Sequence, residues 1–458
     1  MKPTEQIEST LDHVNMYSTP SDLKITDIRF TDIYGAPMHC SLMKIYTNSE
    51  LVGFGEVRDA ASKTYALMVK DRILGENPCN IDKIFRRIKQ FGWHGRQSGG
   101  VCGIEVALWD IAGKAYGIPV YQMLGGKFRD KIRMYCDTDI DPHLSGVEAG
   151  QRVKQRLEKG YTLVKFDLGI GLLADVEGAL CAPLGFLDQM KAYPPEVLFH
   201  SRATDEASRA LRNKVYDLHN IAHPFTGIRI TEKGLDYLEQ YAAEVRSAVG
   251  YHVPLAIDHI GHIGVEDCIK LAQRLDKYTF AWLEDLVPWQ YTDQYVHISR
   301  ACQTPICTGE DIYLKENFLP LLQSRGVSVI HPDILTCGGI LECKKIGDLA
   351  QDYEVAMAIH MAESPIACMA AVHTAAATEN FLALEFHSED VPWWSDLVCG
   401  LPHPIVQQGY IAVPDTPGLG IKALNDDVIA EHIHPGIPGQ WEATEAWNNE
   451  WSHDRLWS

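Results

Sequence analysis

Three carboxylates, Asp258, Glu284 and Glu310, each close a short apolar run, and each stands 26 residues from the next. The runs read Val-Pro-Leu-Ala-Ile, Phe-Ala-Trp-Leu and Pro-Ile-Cys-Thr-Gly. Twenty-six residues is about the length of one strand and its return helix. The spacing therefore places successive parallel strands side by side, with one acid apiece on the same rim. A single acid at a strand end is usually a cap or a salt-bridge partner. Three in register, without a thiolate among them, suit a hard cation such as Mg²⁺.

The rest of the chain extends that rhythm. After Lys131, strand patterns fall at 133–136, 162–166, 255–257, 280–283, 306–308, 327–330, 355–358 and 381–384. Amphipathic stretches such as 265–275 and 340–351 lie between them. Eight such units predict a (β/α)₈ barrel over residues 131–400. Ahead of it, strands at 24–31, 39–47 and 52–56 precede helical patterns, including GIEVALWDIAGKAYGIPVY at 103–121. That order predicts an α+β unit over 23–130, preceded by a polar arm at 1–22.

One connection is too long. Nearly ninety residues separate Asp167 from Leu255 where about thirty would suffice, so 169–228 reads as an insertion on the active-site rim, a lid or an oligomer contact. Residues 401–458 contain two short strands that are expected to return to the first domain. They end in a tail carrying Trp441, Trp447, Trp451 and Trp457, which docks either on another subunit or on its own chain.

Composition excludes some partners. A net charge of −20 over 458 residues leaves nothing to neutralise nucleic-acid phosphates. No apolar stretch approaches the length of a membrane span and no signal-peptide pattern opens the chain. Twelve cysteines without a CxxC pair read as reduced thiols, which gives a cytoplasmic expectation.

Downstream of the acids, Val-Ser-Val-Ile leads into His331-Pro332-Asp333, and Ala-Met-Ala-Ile ends in His360. An Asp and a His at the ends of adjacent strands are placed to hydrogen-bond across the barrel mouth, which fixes the imidazole tautomer and raises its basicity. Glu385 ends the last strand and is a candidate for contact with a substrate oxygen.

The order Asp258, Glu284, Glu310, Asp333, His360, Glu385, together with the helix ALWDIAGKAYGIPVYQMLGG, resembles the mandelate racemase/muconate lactonizing enzyme group of the enolase superfamily over about residues 23–425. The resemblance implies a capping α+β domain, completed by the C-terminal segment, over a modified barrel. It also implies Mg²⁺ held by Asp258, Glu284 and Glu310, and a base that forms an enediolate. The group commonly assembles as homo-oligomers, which is expected here too. One departure matters. Where family members carry Lys-x-Lys, this chain reads Lys165-Phe166-Asp167, so Asp167 stands at the catalytic lysine's position and two-base racemisation is disfavoured. Some acid-sugar dehydratases of the group place a histidine two residues after the first metal ligand. That place is Ile260 here, flanked by His259 and His262.

The expectation is a lyase that removes water from a sugar acid. His360, oriented by Asp333, would take the α-proton or protonate the leaving hydroxyl, and His262 would serve as the second acid. Lys165 would sit beside the metal, and Lys165, Glu385 and His259 would contact substrate. Competing readings are an epimerase or racemase, a cycloisomerase, and a non-catalytic metabolite-binding protein.

Overall fold

A computed structural model describes residues 2–14, 19–59, 61–93, 97–141, 143–173, 175–181, 206, 209–210, 213, 229–258, 263–437 and 439–450. Helix α1 (Pro3–Val14) occupies the stretch expected to be an unpatterned arm. Three antiparallel strands follow as a meander: β1 (Ile25–Tyr34), β2 (His39–Thr47) and β3 (Val52–Val57). Behind α2 (Ile81–Ile88), the long helix α3 (Ser98–Tyr116) lies against β3. Its approach is backbone to backbone, since a Cβ on Gly55 would fall 2.2 Å from the Gly103 carbonyl oxygen. Only glycines admit so close a crossing.

The barrel then closes with β4 (Lys131–Thr138), β5 (Val164–Asp167), β6 (Leu255–Asp258), β7 (Leu283–Glu284), β8 (Ile306–Thr308), β9 (Val329–Ile330), β10 (Ala356–Ile359) and β11 (Phe381–Phe386). Each strand pairs in parallel with the next, and β11 pairs back onto β4, so this is the expected eight-stranded parallel barrel under a capping domain. Return helices α4 (Gly146–Glu158), α5 (Glu232–Val249), α6 (Val265–Leu275), α7 (Thr292–Ala301), α8 (Lys315–Ser324), α9 (Ile340–Asp352) and α10 (Pro365–Ala376) follow β4 to β10 in turn. The insertion lies largely outside the described residues, but its two ends meet. Cys181 N donates to Arg229 O at 2.8 Å and Thr231 N to Ala179 O at 2.9 Å, so the excursion leaves and returns at one place.

The C-terminal segment divides its contacts. Tyr410–Ala412 pairs antiparallel with the first residues of β4, adding to the barrel rather than to the cap. Further on, the chain does reach the cap: His434 N donates to Asp32 O at 2.9 Å, and Lys70 Nζ to Thr444 Oγ1 at 2.7 Å. Trp441 packs on its own chain, beneath the Lys44 ammonium at 3.8 Å, and Trp447 lies against the core. Trp451 and Trp457 fall outside the described residues.

Two cap glutamates lock the domains together. Glu56 accepts from the backbone N–H groups of Ser364 and Ala367, at 3.1 and 3.4 Å, at the start of α10. Glu105 accepts from Ile340 and Leu341, at 2.7 and 3.1 Å, at the start of α9. Each supplies acceptors to a buried helix N-terminus that would otherwise leave donors unpaired. Burial pushes Glu56 up to about 7 and Glu105 up to about 8.

At the other end of α10, His373 is wholly buried, and Tyr121 N donates to its Nδ1 at 3.3 Å. Burial lowers its pKa to about 4 from 6.5. Between those values the unfolded chain binds a proton that the folded chain refuses, so stability falls as pH drops from about 6.5 toward 4. The loss is of order 3 kcal/mol at most. Urea melts at pH 7 and pH 4.5 should show that His373→Leu removes part of the acid sensitivity.

Candidate active site

The site follows from strand alternation. Inside the barrel an apolar layer takes one side chain from or beside each strand: Tyr135, Leu163, Ala256, Trp282, Cys307, Val329, Ala358 and Ala383. Side chains two residues on point the same way and lie one layer higher. Those positions are Asp137, Lys165, Asp258, Glu284, Gly309, His331, His360 and Glu385. An apolar floor therefore carries a nearly complete polar ring at the C-terminal ends of the strands, where barrel enzymes keep their chemistry. The exception is Gly309, where a Cβ would fall 3.2 Å from the His331 backbone nitrogen; the acid comes one residue later, as Glu310.

Lys165 is the electrostatic centre of one half of the ring. Its Nζ lies 2.6 Å from Asp258, 2.7 Å from Glu284 and 2.6 Å from Glu385. Burial opposes its charge, but these carboxylates hold its pKa well above the usual lysine value. Lys165 therefore stays an ammonium and acts as a counter-charge. A role as proton acceptor does not suit this geometry: hydrogen bonds to Asp258 and Glu284, with the charge of Glu385 beside them, hold the proton in place. Burial, with the charge of Asp258 next, raises Glu284 well above the usual carboxylate range, and Trp282 Nε1 donates to Glu284 at 2.6 Å. Asp167, exposed at the end of β5, sits in register beside Asp258.

The other half is built around His360. Its Nδ1 lies 2.8 Å from Asp333 Oδ2, and its Nε2 lies 3.0 Å from Glu310 Oε2. Burial works against the imidazolium, but Glu310 and Glu385 keep the His360 pKa well above its ordinary value. In the imidazolium, Nδ1–H donates to Asp333 and Nε2–H to Glu310. The neutral tautomer that can act as a base keeps Nδ1–H on Asp333 and leaves the Nε2 lone pair to accept a proton.

A cap residue completes this half. Arg58, just past β3, is fully buried, with its Nη1 donating to Asp333 Oδ2 and, at 2.7 Å, to Glu363 Oε1. Its Nη2 lies 3.7 Å from Glu310. Nη1 also stands 2.9 Å from His360 Nδ1, so the guanidinium pulls the imidazole's proton affinity down while Asp333 holds the ring. The Glu363 carboxyl, buried and close to Asp333, is raised well above its usual range.

Sequence reading missed Arg58 because nothing local ties residue 58 to residues 333 and 360. It also missed His331, whose two nitrogens are 3.5 Å from Glu284 and Asp285, and which those acids, against burial, raise to about 9. The signal for His331 was present in the two-residue offset from Val329. His259 and His262 lie outside the described residues.

Asp258 and Glu284 meet at Lys165, whereas Glu310 turns toward His360 and Arg58. The three acids come from neighbouring strands and offer only hard oxygens. Asp258, Glu284 and Glu385 share the one ammonium of Lys165. The donor set of Asp258, Glu284 and Glu310 fits a hard divalent cation and does not suit a thiophilic one.

Family models match both domains: the mandelate racemase/muconate lactonizing enzyme N-terminal domain over residues 35–125, and the enolase C-terminal domain-like family over residues 202–428. A D-xylonate dehydratase of Haloferax volcanii is 33% identical over 93% of this chain and 93% of its own. A D-galactonate dehydratase of Pectobacterium atrosepticum is 27% identical over 89% of this chain and 94% of its own. Among solved structures, a mandelate racemase/muconate lactonizing enzyme-like protein from Rubrobacter xylanophilus superposes with a TM-score of 0.74 at 27% identity, covering 91% of this chain and 99% of that one.

Proposed function

Because this chain belongs to the mandelate racemase/muconate lactonizing enzyme group of the enolase superfamily, we propose that it dehydrates a sugar acid, an aldonate or aldarate, to a 2-keto-3-deoxy acid. The two relatives named for D-xylonate and D-galactonate dehydration support that substrate class. The observation that carries the reaction type is the asymmetry of the ring. One imidazole, His360, is held by Asp333 and Arg58 at the mouth, while the lysine of the opposite half is ion-paired with three carboxylates. A racemase needs a proton carrier on each face. An eliminating enzyme needs one base and a route for hydroxide.

His360 Nε2 removes the proton α to the substrate carboxylate, and Asp333 keeps the ring oriented through Nδ1. Arg58 lowers the imidazole's grip on its proton and neutralises Asp333 and Glu363. Lys165 offsets part of the charge of Asp258, Glu284 and Glu385. Asp258, Glu284 and Glu310 would hold a divalent cation, Mg²⁺ by their donor chemistry. Once bound, it supplies the positive charge that stabilises a substrate carboxylate becoming an enediolate. Unpaired cysteines throughout the described chain, Cys181 and Cys399 exposed among them, suit a reducing, cytoplasmic setting.

The test is to incubate the protein and Mg²⁺ with a panel of aldonates and aldarates and detect the 2-keto product with semicarbazide. Turnover of at least one acid is expected. EDTA should abolish it and Mg²⁺ restore it. Independently of activity, Mg²⁺ should raise the melting temperature of the wild-type protein by binding its folded state. Interconversion of epimers with no keto product would sink the dehydratase reading.

A further inference from the structure

Strand β11 ends one residue before His387. The β11–β4 register pairs Glu385 with Tyr135 and Phe386 with Cys136, so the next step sets His387 beside Asp137. Its Nδ1 lies 3.2 Å from Asp137 Oδ2. The Nε2 atom is 3.2 Å from Glu385 Oε1 but out of line for a hydrogen bond, and it is buried with no hydrogen-bond partner among the described residues. The His387 and His360 ring centroids are 5.9 Å apart, and one nitrogen of each, with a Glu385 oxygen, lies within 4.8 Å of the others. The side chain keeps 18% of its surface accessible.

We propose that His387 is the general acid of the reaction, oriented by Asp137, which protonates the departing β-hydroxyl while His360 takes the α-proton; the assignment rests on the dehydratase reading above. The α-carbon and β-carbon are bonded neighbours, so the atoms that receive and give protons must lie a few ångströms apart, each about 3 Å from its target. Two imidazoles on adjacent strands meet that requirement. Burial disfavours the His387 imidazolium, but Asp137 and Glu385 keep its pKa above the ordinary value, as a proton donor needs.

The protons balance. His360 takes the α-proton and the C–H pair moves into the enediolate. That pair then forms the C2–C3 double bond as the C3–O bond breaks, and the leaving oxygen carries away the His387 proton as water. In the enol that remains, the C2 hydroxyl returns its proton to His387 while His360 delivers its own to C3. The product is the 2-keto-3-deoxy acid, and both histidines end as they began.

The test uses His387→Asn in the full-length protein with Mg²⁺, on the aldonate that the wild type turns over fastest in a panel including D-xylonate and D-galactonate. Dehydration should fall by at least about a hundredfold. Wash-in of solvent deuterium at the α-carbon, read by NMR, should persist, because His360 still forms the enediolate. The 3-deoxy-3-fluoro analogue, whose fluoride leaves without a proton, should still eliminate. Asp137→Asn should give a smaller loss of dehydration with the same retained exchange. If a folded His387→Asn protein, judged by its thermal melt, loses exchange and fluoride elimination together with dehydration, His387 is not the acid. Unchanged dehydration also overturns the assignment. A wild-type protein that neither dehydrates nor exchanges any acid removes the functional reading itself, and the assignment with it.

Discussion

Replacing His360 by asparagine lowers turnover by about 10²–10⁴ and abolishes solvent-deuterium exchange at the α-carbon in the same step. Asparagine keeps a hydrogen bond toward Asp333 but has no basic nitrogen to place at the Nε2 position, 3.0 Å from Glu310. Loss of exchange separates this variant from His387→Asn, where exchange is retained. Substrate binding should change little, because the acids on β6 to β8 and Lys165 are untouched; the loss falls on kcat rather than KM. A variant that still exchanged the α-proton at the wild-type rate would show that another group is the base. A variant that kept its full biological activity would favour a metabolite-binding protein over an enzyme.

The second large effect is expected at Arg58. Its methionine variant leaves Asp333 and Glu363 facing each other, fully buried, without their shared cation. Breaking a buried ion pair by removing one partner costs about 3–5 kcal/mol, because the remaining charge stays desolvated. Part of that cost is relieved if Glu363, already raised, takes up a proton. Urea denaturation should record the loss, and activity should fall with it, because Asp333 without Arg58 holds His360 more firmly protonated. Arg58→Lys keeps a charge but not the forked geometry that reaches Asp59, Asp333 and Glu363 together. It should recover much of the stability and less of the activity. Equal recovery of both would mean that Arg58 acts on the site only through folding.

Much of the ring was legible before the fold. Asp258, Glu284, His331, His360 and Glu385 each follow an apolar strand, and each falls two residues after a member of the barrel floor. That offset is a local property of extended backbone, so it is written in the chain. Helix α1 was not legible, because its charged and polar residues lack a sustained apolar stripe. The C-terminal segment was legible only in part: short strands were evident, but their choice of β4 over the cap sheet depends on which edge the closed barrel leaves open.

The sequence by itself determined the eight-fold rhythm, the acids at the strand ends and the Asp333–His360 pairing, because each depends on spacing within a strand or between neighbouring strands. Only the tertiary structure decided that Arg58 from the cap reaches Asp333 and Glu363 across some three hundred residues. It also decided that Lys165 is ion-paired with acids from β6, β7 and β11, and that His387 stands beside Asp137 where the last strand closes on the first. The physical reason is the same in each case. These contacts join residues that are distant along the chain, and the energy of a buried charge depends on every neighbour that closure and domain docking bring to it, which no local pattern records.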